Sequence, residues 1–322
     1  MNTDNTQDLE DNLNLPNKEK FTIVGIGTSA GGLAALEEFF KGMPLVVDIE
    51  LSFVIVQHLS PDHKSILTEL VQRFTPMKVY EVEELTIVKP NSIYIIPPNK
   101  NMILLNGTLR LTNPDMPHGR RLPIDFFFNS LAKEQKEKAI CIILSGNGSD
   151  GTFGVRAIKA EGGMAMAQSP ESTEYDSMPL SAIETGLVDY VFPPMELAGE
   201  LLRYITHSYE KLPKNNPLLI PENVLFEIHS ILKIQTGHDF SEYKHNTINR
   251  RLERRMVVHH LDTIDKYLNF LKSNSNEVTM LYNDLLIGVT NFFRDVEVFE
   301  VLENSIIPKL FLEKKVGSTI RI

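Results

Sequence analysis

The chain of 322 residues is 42% hydrophobic and 23% charged, with a formal net charge of −10. Its length and apolar content allow two domains with substantial cores, yet no uninterrupted apolar run reaches the roughly 20 residues that a membrane-spanning helix needs. The acidic balance argues against wholesale nucleic-acid binding, and a single cysteine, Cys141, excludes an intrachain disulfide and points to a reducing, cytoplasmic compartment.

Residues 1–20 are polar and rich in Asn and Asp, without the basic-then-apolar order of a secretory leader, so a disordered tail is expected there. From Phe21 to Val191 the hydrophobic runs are short, β-branched and separated by helical patterns, as in a parallel sheet covered on both faces. They predict strands near 22–27, 51–57, 92–96, 140–145, 163–167 and 188–192, helices near 31–42, 63–74, 123–135 and 152–160, and a hairpin around Asn106-Gly107. The expected architecture over 21–211 is α/β, a doubly wound, mostly parallel sheet of Rossmann-like type.

Three strand ends carry chemistry. The first strand runs into Gly27-Thr28-Ser29-Ala30-Gly31-Gly32, which sets a hydroxyl at a glycine-crowded turn ahead of a helix N-terminus. Taken alone, this turn is open to phosphate binding, tight packing or a nucleophile. The second strand delivers His58 at its carboxyl end, where a dinucleotide fold would carry a ribose-binding acid. A third run, Ala139 to Ser145, breaks into Gly146-Asn147-Gly148-Ser149-Asp150-Gly151. Singly, His58 reads equally as a strand cap and Asp150-Gly151 as a turn. Neighbouring strand ends of a doubly wound sheet converge on one crevice, however, and serine, imidazole and carboxylate together form the set for acyl transfer. Asp62 and His63 follow His58 closely, but no cysteine or second histidine cluster completes a metal site.

These segments, with Gln57-His58-Leu59-Ser60-Pro61, Tyr94-Ile95-Ile96-Pro97-Pro98-Asn99, Arg120-Arg121-Leu122-Pro123-Ile124-Asp125 and Met178-Pro179, resemble the motifs of the chemotaxis methylesterase CheB in type and order, over roughly residues 20–207. The resemblance implies hydrolysis of glutamyl methyl esters on chemoreceptor helices, with methanol released, and often deamidation of glutamine; it needs no cofactor. It makes Ser29 the nucleophile, His58 the general base and then acid, and Asp150 the orienting partner. It also sets Ala30 and Asn147 as oxyanion donors through their backbone N–H groups, and Arg120, Arg121, Met178 and Pro179 on the substrate side. Ala30 and Asn147 depart from the family's frequent threonine and methionine. The stretch before Ser29 is far below the size of the receiver domain that usually covers this site, so activity independent of acetyl phosphate is expected.

Residues 212–221 hold three prolines and two asparagines and read as a linker. Beyond it strand-like runs almost vanish, and helices are expected at 224–236, 247–259, 263–273 and 277–286, a small all-α domain spanning 222–300. The second of these places Arg250, Arg251, Arg254 and Arg255 opposite Ile248, Leu252 and Met256. Asn249 to Arg255, Tyr267-Leu268-Asn269-Phe270-Leu271 and Thr290-Asn291-Phe292-Phe293-Arg294-Asp295 resemble the N-terminal helical domain of the receptor methyltransferase CheR. That likeness implies an arginine face turned toward acidic receptor helices and sets Arg294 beside S-adenosylmethionine in the intact enzyme. Residues 301–322 read as the start of a methyltransferase catalytic domain cut off within its first strand, so methyl transfer is expected only of a longer fusion. Two other classes stand beside this reading: a catalytically silent docking module working through Arg250 to Arg255, and a dinucleotide-dependent oxidoreductase built on Gly25-Ile26-Gly27, disfavoured by the missing ribose-binding acid.

Overall fold

The computed structural model describes residues 21–44, 50–58, 66–114, 121–211 and 220–287, together with Leu302 and Ile307. The expected tail, most of the linker, the truncated strand and Arg120, Arg294, Asp62 and His63 lie outside the described residues.

Seven strands form one parallel sheet. They are β1 (Thr22–Thr28), β2 (Leu51–Gln57), β3 (Lys78–Glu81), β5 (Ser92–Ile95), β8 (Ile140–Ile143), β9 (Met164–Gln168) and β10 (Tyr190–Phe192), in the order β10-β9-β8-β1-β2-β5-β3. A three-stranded antiparallel sheet of β4 (Thr86–Ile87), β6 (Asn101–Leu105) and β7 (Thr108–Thr112) flanks it. Its β6–β7 hairpin turns on Asn106 and Gly107, at φ 53° and 73°, the pair of left-handed residues that a two-residue turn of this kind requires.

Alternation along each strand sends side chains to two cores. Ile23, Val54, Val56, Cys141 and Ile143 meet α3 (Pro123–Gln135) and α4 (Thr152–Ala160) on one face. Val24, Ile26, Phe53, Ile55, Ile140 and Ile142 meet α1 (Gly32–Gly42) and α6 (Pro194–Lys211) on the other. Short helices α2 (Leu67–Gln72) and α5 (Ser177–Ile183) complete this region. After it, α7 (Glu222–Thr236), α8 (His245–Val258), α9 (Ile264–Ser273) and α10 (Ser275–Leu286) enclose a third core around Ile228, Leu252, Tyr267 and Leu281.

From β1 the chain first builds one side of the sheet, laying down β2, then the edge strand β3, then β5 between them, and returns to the other side through β8, β9 and β10. The reversal opens a crevice between the carboxyl ends of β1 and β8, the place where sheets of this kind bind ligands.

Candidate active site

Ser29 follows β1 directly and His58 follows β2 directly. Thr28 and Gln57 are register partners on these adjacent parallel strands, so the two side chains start one strand spacing, about 4.8 Å, apart. Both line one open cleft of about 550 Å³, with Ala30, Gly31 and Gly32. Asp150 arrives from the opposite neighbour, in the loop after β8. Its carboxylate, 2% exposed, accepts a hydrogen bond from His58 Nε2 at 2.8 Å.

A buried carboxylate needs compensation, and here the backbone supplies it. Pro123 occupies the first turn of α3, where its missing N–H costs nothing, and the next two amides point at Asp150. Ile124 N–H donates to Oδ2 at 3.0 Å and Asp125 N–H to Oδ1 at 2.9 Å. The helix N-terminus thereby holds the carboxylate through backbone amides. Because Nε2 faces an acceptor, the tautomer is fixed with its proton there, leaving Nδ1 as the basic nitrogen. The imidazole is 36% exposed and open to the cleft side.

The two expected oxyanion donors sit in peptide groups whose carbonyls are already engaged. Ser29 O accepts from Gly32 N–H at 3.0 Å and Gln57 Nε2 at 3.4 Å. Gly146 O accepts from Met178 N–H at 3.0 Å. In a planar trans peptide the N–H points opposite to its carbonyl, so fixing these oxygens fixes the directions of the Ala30 and Asn147 N–H groups. Close packing holds the two turns together. A Cβ on Gly146 would fall 2.6 Å from Met178 Cε and 3.0 Å from Ser29 Cβ, and Gly31, at φ 73°, has Ser145 Oγ 2.5 Å from where its Cβ would stand. Ser145 Oγ also donates to Ala30 O at 2.8 Å.

The residues expected on the substrate side differ in exposure. Met178 is fully buried and Pro179 is buried beside it, and Met178 braces the Gly146 turn with its backbone and thioether. Arg121 donates through Nη1 to the Asn99 side chain. Sequence reasoning passed over Gln57, Ser145 and Asp125. Each is a polar residue beside a strand or helix end already singled out, and that adjacency was the available signal. Among the described residues no group of three or more His, Cys, Asp and Glu side chains is placed to hold a metal ion.

A correction concerns the arginine helix. Arg254 and Arg255 are buried, not turned outward: the C-terminal half of helix α8 lies between the helical core and the sheet domain, so both of its sides are covered there. Asp189, in the loop before β10, takes Lys159 Nζ at 2.7 Å, Arg254 at 2.6 Å and Arg255 at 2.9 Å. Asp284 of α10 takes Arg254 at 2.8 Å, and Lys159 Nζ lies 2.8 Å from it as an ion pair without hydrogen-bond alignment. Arg255 also donates to Glu277 at 2.8 and 2.5 Å. Burial alone would push Asp189 up, but Arg254, Lys159 and Arg255 hold it well below the usual carboxylate range. Arg251 caps α4 by donating to Lys159 O and Ala160 O, which leaves Arg250 as the exposed member of the four.

Residues 24–201 match the family model for CheB methylesterase, and residues 226–286 match that for the CheR methyltransferase all-alpha domain. An uncharacterized 104.1 kDa protein of Rhodobacter capsulatus is 34% identical over 285 residues, which are 80% of this chain and 29% of that one. A protein-glutamate methylesterase/protein-glutamine glutaminase of Rhizobium meliloti is 32% identical over 180 residues, 56% of this chain and 50% of its own. The chain thus spans half or less of the length of these two relatives. The crystal structure of the Thermotoga maritima CheB methylesterase catalytic domain superposes with a TM-score of 0.52 at 31% identity, covering 57% of this chain and 98% of that domain.

Proposed function

The chain belongs to the CheB methylesterase family, and on that premise we propose that it is a serine hydrolase that removes methyl esters from glutamyl side chains of chemoreceptors or similar glutamate-rich signalling helices, and deamidates glutamine at equivalent sites. The observation that carries the reading is the 2.8 Å bond from His58 to an Asp150 carboxylate held by two helix amides, beside the turn that presents Ser29.

In this reading the Ser29 hydroxyl attacks the ester carbonyl while His58 Nδ1 takes its proton, and Asp150 stabilises the imidazolium that forms. The tetrahedral oxyanion develops against the Ala30 and Asn147 N–H groups. His58 returns the proton to the leaving methoxide, methanol departs, and water hydrolyses the acyl-enzyme by the reverse proton path. The reaction needs no cofactor. Its setting is the cytoplasm; among the described residues no helix is long and apolar enough to cross a membrane.

A longer form of the protein would add methyl transfer from S-adenosylmethionine, with the helical domain at its N-terminal edge; Arg294, assigned to that cofactor by resemblance, lies outside the described residues. The silent-docking alternative works through the Arg250–Arg255 face, and the burial of Arg254 and Arg255 takes two of its four arginines out of reach of a partner. Methanol release from methylated receptor helices tests the hydrolase: wild type is expected to release it, and Ser29→Ala to lose about a thousandfold or more with an unchanged melting temperature. Equal release by both proteins would reject Ser29.

A further inference from the structure

Behind Asp150 lies a second buried carboxyl that the reaction does not use. Asp125 is 5% exposed and is the third residue of α3. Its backbone N–H donates to Asp150, while its side chain turns the other way: Oδ1 accepts from Gly154 N–H at 2.6 Å, and among the described residues Oδ2 has no hydrogen-bond partner. Gly154 is in the first turn of α4. That helix begins at Gly151, at φ 97°, a residue with no side chain to cap the free amides. Asp125 supplies the missing cap from a different helix.

The two helix starts are thus cross-laced around the catalytic acid. The α3 amides hold the Asp150 carboxylate, and Asp150 itself sits immediately before Gly151, where α4 begins. Leaving one buried oxygen without a partner is unfavourable, and such a group in a native structure calls for an explanation. Burial, followed by the neighbouring Asp150 charge, pushes the Asp125 carboxyl up to about 6 against the pull of the α4 amides. The charged and titratable groups facing it are Asp150 on the 146–151 turn and, beyond it, His58 at the end of β2; α4 faces it with backbone N–H groups.

We propose that Asp125 is a positioning residue for the His58–Asp150 pair: its carboxyl fastens the start of α4 to the start of α3 and so sets the Asp150 carboxylate against the imidazole. This rests on the hydrolase reading for its effect on turnover, but not for its effect on the pair itself.

The test compares Asp125→Ala and Asp125→Asn in the full chain, reading methanol release and the proton resonance of His58 Nε2–H. The asparagine oxygen can still accept from Gly154, so Asp125→Asn is expected to stay within about threefold of wild type and keep the resonance. Alanine cannot, and a small displacement of a catalytic group is sufficient to cost roughly tenfold to a hundredfold in kcat, with KM within about twofold and the resonance lost to exchange. If alanine does not melt cooperatively, Asp125→Ser takes its place, since its hydroxyl ends one bond short of Gly154; the same loss is expected. Wild-type kcat and resonance in the truncated variants, a loss in Asp125→Asn as large as in alanine, or failure of both truncations to fold would overturn the proposal. The resonance reports the pair whatever the substrate, so it separates this proposal from failure of the Ser29 reading.

Discussion

Asp150 and Asp189 are both buried carboxylates crowded by donors, yet their surroundings suit them to opposite tasks. Asp150 is held by two backbone amides, which carry only partial charge, and its remaining capacity goes to an imidazole that opens onto a cleft. Three full cations and the Ala165 amide surround Asp189, with Arg255 only 1% exposed. Neutral donors leave a carboxylate free to respond to a proton moving nearby, whereas a buried ion cluster fixes whatever it joins. Here it joins the sheet domain, through Lys159 and Asp189, to the helical domain, through Arg254, Arg255 and Asp284.

The same carboxylate-to-amide change should therefore have different consequences in the two regions. Asp150→Asn is expected to lower kcat by about 10⁴-fold, because the amide no longer fixes the imidazole tautomer, while the protein stays folded. Steady-state methanol release and a thermal melt measure the two quantities; a variant inactive only because it is unfolded would break the comparison. Asp189→Asn leaves three buried cations short of their shared anion and is expected to destabilise by about 3–5 kcal/mol. Denaturant titration reads it, and the folded fraction should keep the wild-type rate.

Acid sharpens the contrast. Burial pushes Glu277 up, but hydrogen bonds from Arg255 and His259 prevail and hold it down to about 2, against the ordinary 4.5. Its contribution to stability is fully present above pH 4.5 and is lost as pH falls toward about 2, by about 3 kcal/mol. Asp125 has the opposite sign. With its carboxyl raised to about 6 from 3.8, the stability it contributes is present below pH 3.8 and lost as pH rises through about 6. Between pH 4 and 7 the melting temperature of Asp125→Asn should therefore rise relative to wild type, as that of Glu277→Gln should between pH 4.5 and 2; parallel curves would contradict either assignment. The smallest effect belongs to Arg250→Ala, which should change stability by less than about 0.5 kcal/mol because its side chain is exposed. A change as large as that from Arg254→Ala would place it in the cluster.

The contrast also separates what the chain reveals locally from what it does not. Strands β1, β2 and β8 announce themselves as β-branched runs ending in glycines, and Asn106-Gly107 names its own turn. Strand β3 is mostly exposed and short, and carries no such run. Helix α6 shows helical spacing at Leu197, Leu201, Tyr204 and Ile205, a pattern that a strand-centred reading passed over. The arginines were misread for a deeper reason. Amphipathic spacing says which side of α8 is apolar, but not that the charged side is buried as well. The anions that neutralise it are 30 and 65 residues from Arg254 and 22 from Arg255. At the site the same limit applies: Ser29, His58 and Asp150 stand out as chemistry at strand ends, whereas Met178 and Asp125 act through backbone turns whose meeting only the folded chain makes visible.

In the proposed mechanism His58 makes Ser29 nucleophilic. Labelling of the chain with a fluorophosphonate ester, followed by mass spectrometry of its peptides, addresses this without needing the physiological receptor. A single adduct on Ser29, formed much more slowly in His58→Gln, is the expected result; an adduct elsewhere, or equal labelling rates in the two proteins, would contradict the account.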